Sequence, residues 1–172
     1  MRTIDIKGRH TDPKRAGGAL LDISIYPITY AYRLWGVPEK IESKGVIKNG
    51  IDLSEDVVFT YPNELKVNIS ASIADFKGFE KMSIKGECGE IKAPIYHVLN
   101  AVMFKKGLFK YEVFKGFGPI LNSYLDEFNT VAEEIRSGLK ESKMVPLKAT
   151  SDVMHILDQI RMQIGLTYDN LE

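Results

Sequence analysis

The chain has 172 residues, 44% of them apolar and 27% charged, with 23 basic side chains against 23 acidic ones. That length and composition predict one domain with a single core, residues 1–172, and exclude a wholly disordered chain. Zero net charge gives no overall field for nucleic acid, no apolar stretch approaches the ~20 residues that cross a bilayer, and one cysteine, Cys88, excludes an internal disulfide or a thiolate metal cluster.

In chain order, Ile4 and Ile6 alternate with polar neighbours and read as a short strand. After a polar connector containing Pro13, Gly17-Gly18 opens an apolar segment that runs to Trp35 and stops at Gly36, the pattern of a helix. Pro27 removes a backbone donor and predicts a kink near its middle. From Val37 to about Lys115 the period changes to two. Leu65, Val67, Ile69 and Ala71 alternate with Lys66, Asn68, Ser70 and Ser72, and Pro62-Asn63 reads as the turn after Val57, Phe59 and Tyr61. Further strands are predicted over Lys40–Ile47, Phe79–Lys85, Glu90–Ala93, Ala101–Lys105 and Leu108–Phe114. Short connections make their neighbours antiparallel.

Helices return after Pro119. Ile120, Leu121, Tyr124, Leu125, Phe128, Val131, Ala132 and Ile135 trace one helical face. Val153, Ile156, Leu157, Ile160 and Ile164 trace another, with Thr150 or Ser151 as cap and Gly165 as stop. The sequence therefore predicts an α+β fold, a largely antiparallel open β-sheet with helices packed on one face. The alternating Lys, Asn and Ser make the other face moderately polar, open to water or to a partner subunit.

Chemistry concentrates in the segment after the double glycine. Asp22 and Tyr26 stand four apart and share a helical face, which Tyr30 extends by a further turn. An acid beside a phenol suits alcohol oxidation, in which a hydride leaves for a cofactor and the hydroxyl proton must be taken up. A phenol of pKa about 10 needs a neighbouring cation to act as that base, and no lysine shares the face. The same residues also fit a plainer reading, an aspartate favouring the helix dipole and a half-buried packing tyrosine. Arg9 and His10 lie just before the double glycine, close enough in sequence to border the same pocket, and His97, beside Tyr96, follows a Gly-bounded hairpin and is a candidate to line a substrate pocket. Gly116-Phe117-Gly118-Pro119 is the nearest approach to a dinucleotide fingerprint. Leu121 holds the third glycine position and Pro119 lacks an amide, so it reads as a turn into a helix. The three histidines have no metal spacing, and no metal site is predicted.

The run Gly17-Gly18-Ala19-Leu20-Leu21-Asp22-Ile23-Ser24-Ile25-Tyr26 resembles the Gly-Gly-x-Leu-x-Asp-x-Gly-x segment, ending in His or Tyr, of the Gfo/Idh/MocA oxidoreductases, with Ser24 in place of glycine. Ile84-Lys85-Gly86-Glu87-Cys88-Gly89 is similar to that family's Gly-Thr-x-Gly hairpin, with Glu87 for threonine. Arg136-Ser137-Gly138 through Ser142 and the run Val153 to Tyr168 resemble its Arg-x-Gly-x-x-x-Ser turn and final helix, Asp169 replacing the proline of a Tyr-Pro tail. These matches fall in order along almost the whole chain. The tyrosine form is similar to the dihydrodiol dehydrogenase and glucose–fructose oxidoreductase subgroup.

The resemblance implies the C-terminal, substrate-binding and oligomerisation domain of an NAD(P)-dependent oxidoreductase acting on a sugar, polyol or dihydrodiol hydroxyl. It implies Asp22 and Tyr26 as catalytic residues. NAD or NADP, and a lysine from a Glu-Lys-Pro motif, would be supplied by an N-terminal dinucleotide domain outside this sequence; Pro38-Glu39-Lys40 has the wrong order and position. It also implies a homodimer or higher homo-oligomer through the open sheet face. This fragment alone is expected to be inactive. The start, Met1 to Asp5, lacks the apolar run of a secretory signal, and with the lone cysteine it predicts a cytoplasmic protein. The alternative reading is a non-catalytic regulatory or sugar-sensing protein on the same fold.

Overall fold

Every described strand in the computed structural model pairs antiparallel with its neighbour, as short connections require. The structure describes residues 8–74, 81–93, 101–106, 110–115 and 122–168, so the expected strand at Ile4 and Ile6 lies outside the described residues. The chain divides into two units, one built from residues 1–76 and 145–172 and the other from 77–144. Open antiparallel sheets with helices make the fold α+β, as the sequence predicts.

The first unit holds β1 (Lys40–Lys48), β2 (Ile51–Thr60) and β3 (Lys66–Ser72), in that order across the sheet. Asn49 and Gly50 join β1 to β2 with φ of 55° and 76°, a two-residue turn whose left-handed residues match the twist of the strands. The alternation of the sequence does not mark this hairpin. The turn Pro62–Glu64 joins β2 to β3 where Pro62-Asn63 predicts it. Val57 and Phe59 on β2 and Ile69 on β3 face Ile28 and Ala31 of α1 (Ile25–Trp35) and Val153, Ile156, Leu157 and Ile160 of α3 (Leu147–Ile164). The alternate positions Glu42, Asp56, Asn68 and Ser70 are exposed, so this sheet buries one face and leaves a polar one, with Ser70 donating to Asp56 at 2.5 Å.

An irregularity in β2 decides which of its side chains reach the core. Val46 pairs with Ser54 and Ile47 with Asp52, leaving Leu53 as an extra residue. In a regular strand, residues three apart point to opposite faces. The bulge at Leu53 resets that alternation, and Asp52 joins Glu55, Val57 and Phe59 among the buried side chains.

Pro27 is the third residue of α1, and a π-helical turn, Leu20–Ser24, runs into α1 without a break, so that Pro27 lies near the middle of the helical segment, as expected, with the local irregularity on its N-terminal side. There the amide of Ile25 bonds to the carbonyl of Leu20, five residues back. Pro27 cannot donate to Ile23 and its ring crowds that carbonyl; the wider π-turn relieves the conflict. Gly36, at φ 78°, ends α1 as expected, its amide bonding Tyr32 O at 2.7 Å. α3 begins at Leu147, before the predicted caps Thr150 and Ser151. Pro146 holds the cap position and its carbonyl accepts from the amides of Ala149 and Thr150, while a proline needs no partner for a missing N–H. Gly165, with φ 74°, stops α3. Tyr32 on α1 donates to Asp152 on α3 at 2.7 Å, and Lys148 donates to the same carboxylate at 2.7 and 2.8 Å.

The second unit holds β4 (Met82–Gly86), β5 (Gly89–Ala93), β6 (Ala101–Lys106) and β7 (Lys110–Lys115) in sequential order, and α2 (Asn122–Arg136). Gly89 closes the β4–β5 hairpin at φ 155°, and a Cβ there would lie 2.2 Å from Lys105 O. Pro119, Ile120 and Leu121, expected to open α2, lie outside the described residues.

Candidate functional site

The double glycine builds the site by letting backbone meet backbone. Two short turns, Arg9–Thr11 and Pro13–Arg15, fold residues 9–15 back on themselves, and Asp12 caps the second through the Lys14 amide at 3.0 Å. The Gly17 amide then bonds Asp12 O at 3.0 Å and the Gly18 amide bonds His10 O at 2.9 Å. A Cβ on Gly17 would sit 2.8 Å from the carbonyl oxygens of both Arg9 and His10, so no larger residue permits this approach.

The result places the first turn beside the π-turn. Arg9 Nη2 donates to Asp22 Oδ1 at 3.0 Å, and His10 Nδ1 lies 2.8 Å from Asp22 Oδ2. Three residues expected to border one pocket are thus brought together, with both oxygens of Asp22 engaged. Both contacts are solvent-accessible and contribute little stability, the Arg9 ion pair ~0–1 kcal/mol; their effect is to fix the carboxylate's direction.

Tyr26 lies one turn further on, in the first turn of α1, with 54% of its surface exposed. Tyr30, a turn beyond, is half-buried. Ile28, Ala31, Tyr32 and Trp35 point into or against the core, which leaves Tyr26 on the solvent side of the helix. Asp22 is thus a partly exposed acid held by Arg9 and His10, and the exposed phenol of Tyr26 follows four residues on in the chain. His97 lies outside the described residues.

Directly beneath the π-turn is a polar cluster that sequence reasoning does not find. Asp52 Oδ2 accepts from the Leu20 amide at 2.6 Å, and Ser24 Oγ donates to Glu55 Oε1. Asp52, Glu55 and Ser24 are all buried. Gly18, at φ 134°, leaves room for the Asp52 carboxylate: a Cβ would lie 1.9 Å from Asp52 Oδ1. Burial pushes the Glu55 carboxyl up to about 8; the Ser24 hydrogen bond opposes that rise, while the charge of Asp52 and a hydrogen bond with it reinforce it. Tyr168 adds a buried phenol whose hydroxyl has no partner among the described residues; burial, then the charge of Asp52, raise its pKa to about 12. The signal for this cluster is an acid at each of two strand positions, but strict alternation assigns Asp52 and Glu55 to opposite faces. Only the Leu53 bulge brings them together.

The family model of the GFO/IDH/MocA C-terminal domain matches residues 3–92. Trans-1,2-dihydrobenzene-1,2-diol dehydrogenase of Mus musculus is 32% identical over 171 residues, covering 93% of this chain and 50% of the relative. The Homo sapiens enzyme of the same name is 30% identical over 183 residues, with the same two coverages. The chain spans about half the length of the curated relatives it matches. Among solved structures, levoglucosan dehydrogenase in complex with NADH and levoglucosan superposes with a TM-score of 0.74 at 15% identity, over 91% of this chain and 50% of that one. Aldose-aldose oxidoreductase from Caulobacter crescentus, complexed with glycerol, gives a TM-score of 0.73 at 15% identity, over 92% and 49%. At such identities these likenesses speak for the fold alone. With the family model covering more than half of its residues, the chain belongs to the GFO/IDH/MocA oxidoreductase family, through that family's C-terminal domain.

Proposed function

We propose that this chain is the substrate-binding part of an NAD(P)-dependent oxidoreductase acting on a hydroxyl of a sugar, polyol or dihydrodiol. The observation that carries the reading is the exposed Asp22–Tyr26 face, with Arg9 and His10 fixing the acid from outside the helix. Its support is the sequence kinship to dihydrodiol dehydrogenases.

The described strands pair antiparallel throughout, so they provide no cradle between parallel strands for a dinucleotide's pyrophosphate. The donor set here suits the reacting end of an alcohol, and the nucleotide would be held by the N-terminal domain expected of this family. When bound, NAD(P) supplies the hydride acceptor. Tyr26 takes the substrate's hydroxyl proton at its phenolic oxygen, helped by a lysine from that same domain. Asp22 orients the substrate hydroxyl, and Arg9 and His10 hold Asp22 in place while bordering the pocket. Tyr30 extends the binding face. We place the working enzyme in the cytoplasm, as a homo-oligomer joined through the polar sheet face.

The test is NAD(P)-linked turnover by the full-length protein on aldoses, polyols and trans-dihydrodiols. Turnover that disappears in Tyr26→Phe supports the reading, and turnover unaffected by that change removes Tyr26 from it. A second reading, a non-catalytic sugar-sensing protein on the same fold, draws on one observation: both Asp22 oxygens are already engaged within the chain. It predicts sugar binding with no turnover on any member of that panel.

A further inference from the structure

Beneath the proposed active-site turn, two buried acids each grip one end of it. Asp52 Oδ2 accepts from the Leu20 amide at 2.6 Å, at the start of the π-turn. Glu55 Oε1 accepts from the Ser24 hydroxyl, at its end. Asp22 lies midway between those two points and Tyr26 two residues past the second. Both acids are almost wholly inaccessible, at 0% and 2% exposure. Each keeps one oxygen, Asp52 Oδ1 and Glu55 Oε2, without a hydrogen-bond partner of its own.

Two ionised carboxylates facing each other in a dry interior would repel and leave both spare oxygens unsatisfied. One proton between them resolves both problems: a protonated Glu55 donates to Asp52 and still accepts from Ser24. The polar chain then runs unbroken from the Ser24 hydroxyl through Glu55 and Asp52 to the Leu20 amide. We propose that Asp52 and Glu55 are a proton-sharing pair that positions the π-turn, and through it Asp22 and Tyr26, for catalysis.

Three features of this chain fit that role. The Leu53 bulge exists where it is needed to turn both acids to one side. Gly18 gives the Asp52 carboxylate space that any Cβ would occupy. Ser24, the residue that departs from the glycine of the family pattern, supplies the hydroxyl that Glu55 accepts. Among the described residues the titratable groups near the pair are Asp56, on the opposite, exposed face of β2 but close enough for its charge to raise Glu55, and Tyr168 after α3, buried with its hydroxyl unpartnered. Arg161 lies over the Tyr168 ring at 5.8 Å and donates to Leu166 O. Asp52 and Glu55 touch no substrate and act through the turn alone.

The proposal rests on the reading of Asp22 and Tyr26 as the catalytic pair, but its test needs no turnover. Carboxyl and amide NMR of the chain between pH 6 and 9 follows Glu55, Leu20, Ser24 and the Tyr26 ring together. The expected result is a Glu55 midpoint near 8, with Leu20 and Tyr26 resonances moving at that same midpoint. Glu55→Gln mimics the protonated acid, so it should fold and flatten all of these curves. Ser24→Gly removes the bond that opposes the rise and should move the shared midpoint upward. A Tyr26 ring that stays flat through the Glu55 midpoint overturns the proposal, as does a Glu55 that titrates in the ordinary carboxylate range. Failure of Tyr26→Phe to alter turnover would instead remove the catalytic reading while leaving the coupling between Glu55 and the turn intact.

Discussion

Tyr26 and Gly18 show how differently two residues of one short segment should respond to substitution. Tyr26 is half in water, so Tyr26→Phe should change folding stability by less than ~0.5 kcal/mol, the usual scale for surface changes. Loss of its hydroxyl should lower turnover of the full-length enzyme by ~10²–10⁴, the contribution of a positioned acid–base group. Thermal melting alongside steady-state kinetics separates the two effects. Gly18→Ala should do the opposite, damaging the fold first. At φ 134° an alanine is strained, and its methyl would lie 1.9 Å from Asp52 Oδ1. We expect at least ~2 kcal/mol of destabilisation in urea unfolding, and a cost below ~0.5 kcal/mol would contradict the packing described. Among the individual residues, Arg9 and His10 were legible as neighbours of Asp22 because they lie close to it in sequence, just before the double glycine. Ser24 was legible only as a departure from a pattern, since its partner lies 31 residues away.

At the scale of elements, the π-turn and β2 are the parts whose fit controls the site. Glu55 has its pKa raised from an ordinary 4.5 to about 8, chiefly by burial. The folded chain therefore binds a proton the unfolded chain has released across that interval. Its contribution to stability is complete below about pH 4.5, declines as pH rises toward 8 and is flat beyond. Unfolding at pH 5 and pH 8.5 should show a loss of the order of a few kcal/mol at most. Glu55→Gln should abolish that slope, and a wild-type stability that climbs from pH 5 to 8 would be the wrong sign. Six of the seven described strands were legible to within a few residues, most cleanly β3, where apolar residues alternate with Lys66, Asn68, Ser70 and Ser72. The first half of β2 escaped because Ile51 and Asp52 are consecutive and both buried, a sequence that period two cannot produce without a bulge. Asn49-Gly50 was the missed signal for the preceding hairpin. The π-turn could not be read at all, since its apolar residues fit an ordinary helix equally well. α3 began earlier than its hydroxyl residues suggested because Pro146 already satisfies the start of a helix.

For the whole molecule, the exposed face of the β1–β3 sheet is polar, with Glu42, Asp56, Asn68 and Ser70 along it. No helix among the described residues is long and apolar enough to cross a membrane. We expect that sheet face to join subunits, and a monomer mass at tens of micromolar would count against it. The chain by itself should not bind NADH or NADPH, since its described strands lack the parallel pair that shapes a dinucleotide site; micromolar binding in a fluorescence titration would contradict that assignment. What matters most is whether an exposed phenol on α1 moves a proton for a hydride transfer completed elsewhere in the enzyme. The direct measurement is NAD(P)-linked oxidation of a hydroxylated substrate by the full-length protein, wild type and Tyr26→Phe side by side. The account predicts turnover in the first and its loss, with an unchanged melting temperature, in the second; equal rates in both would contradict it.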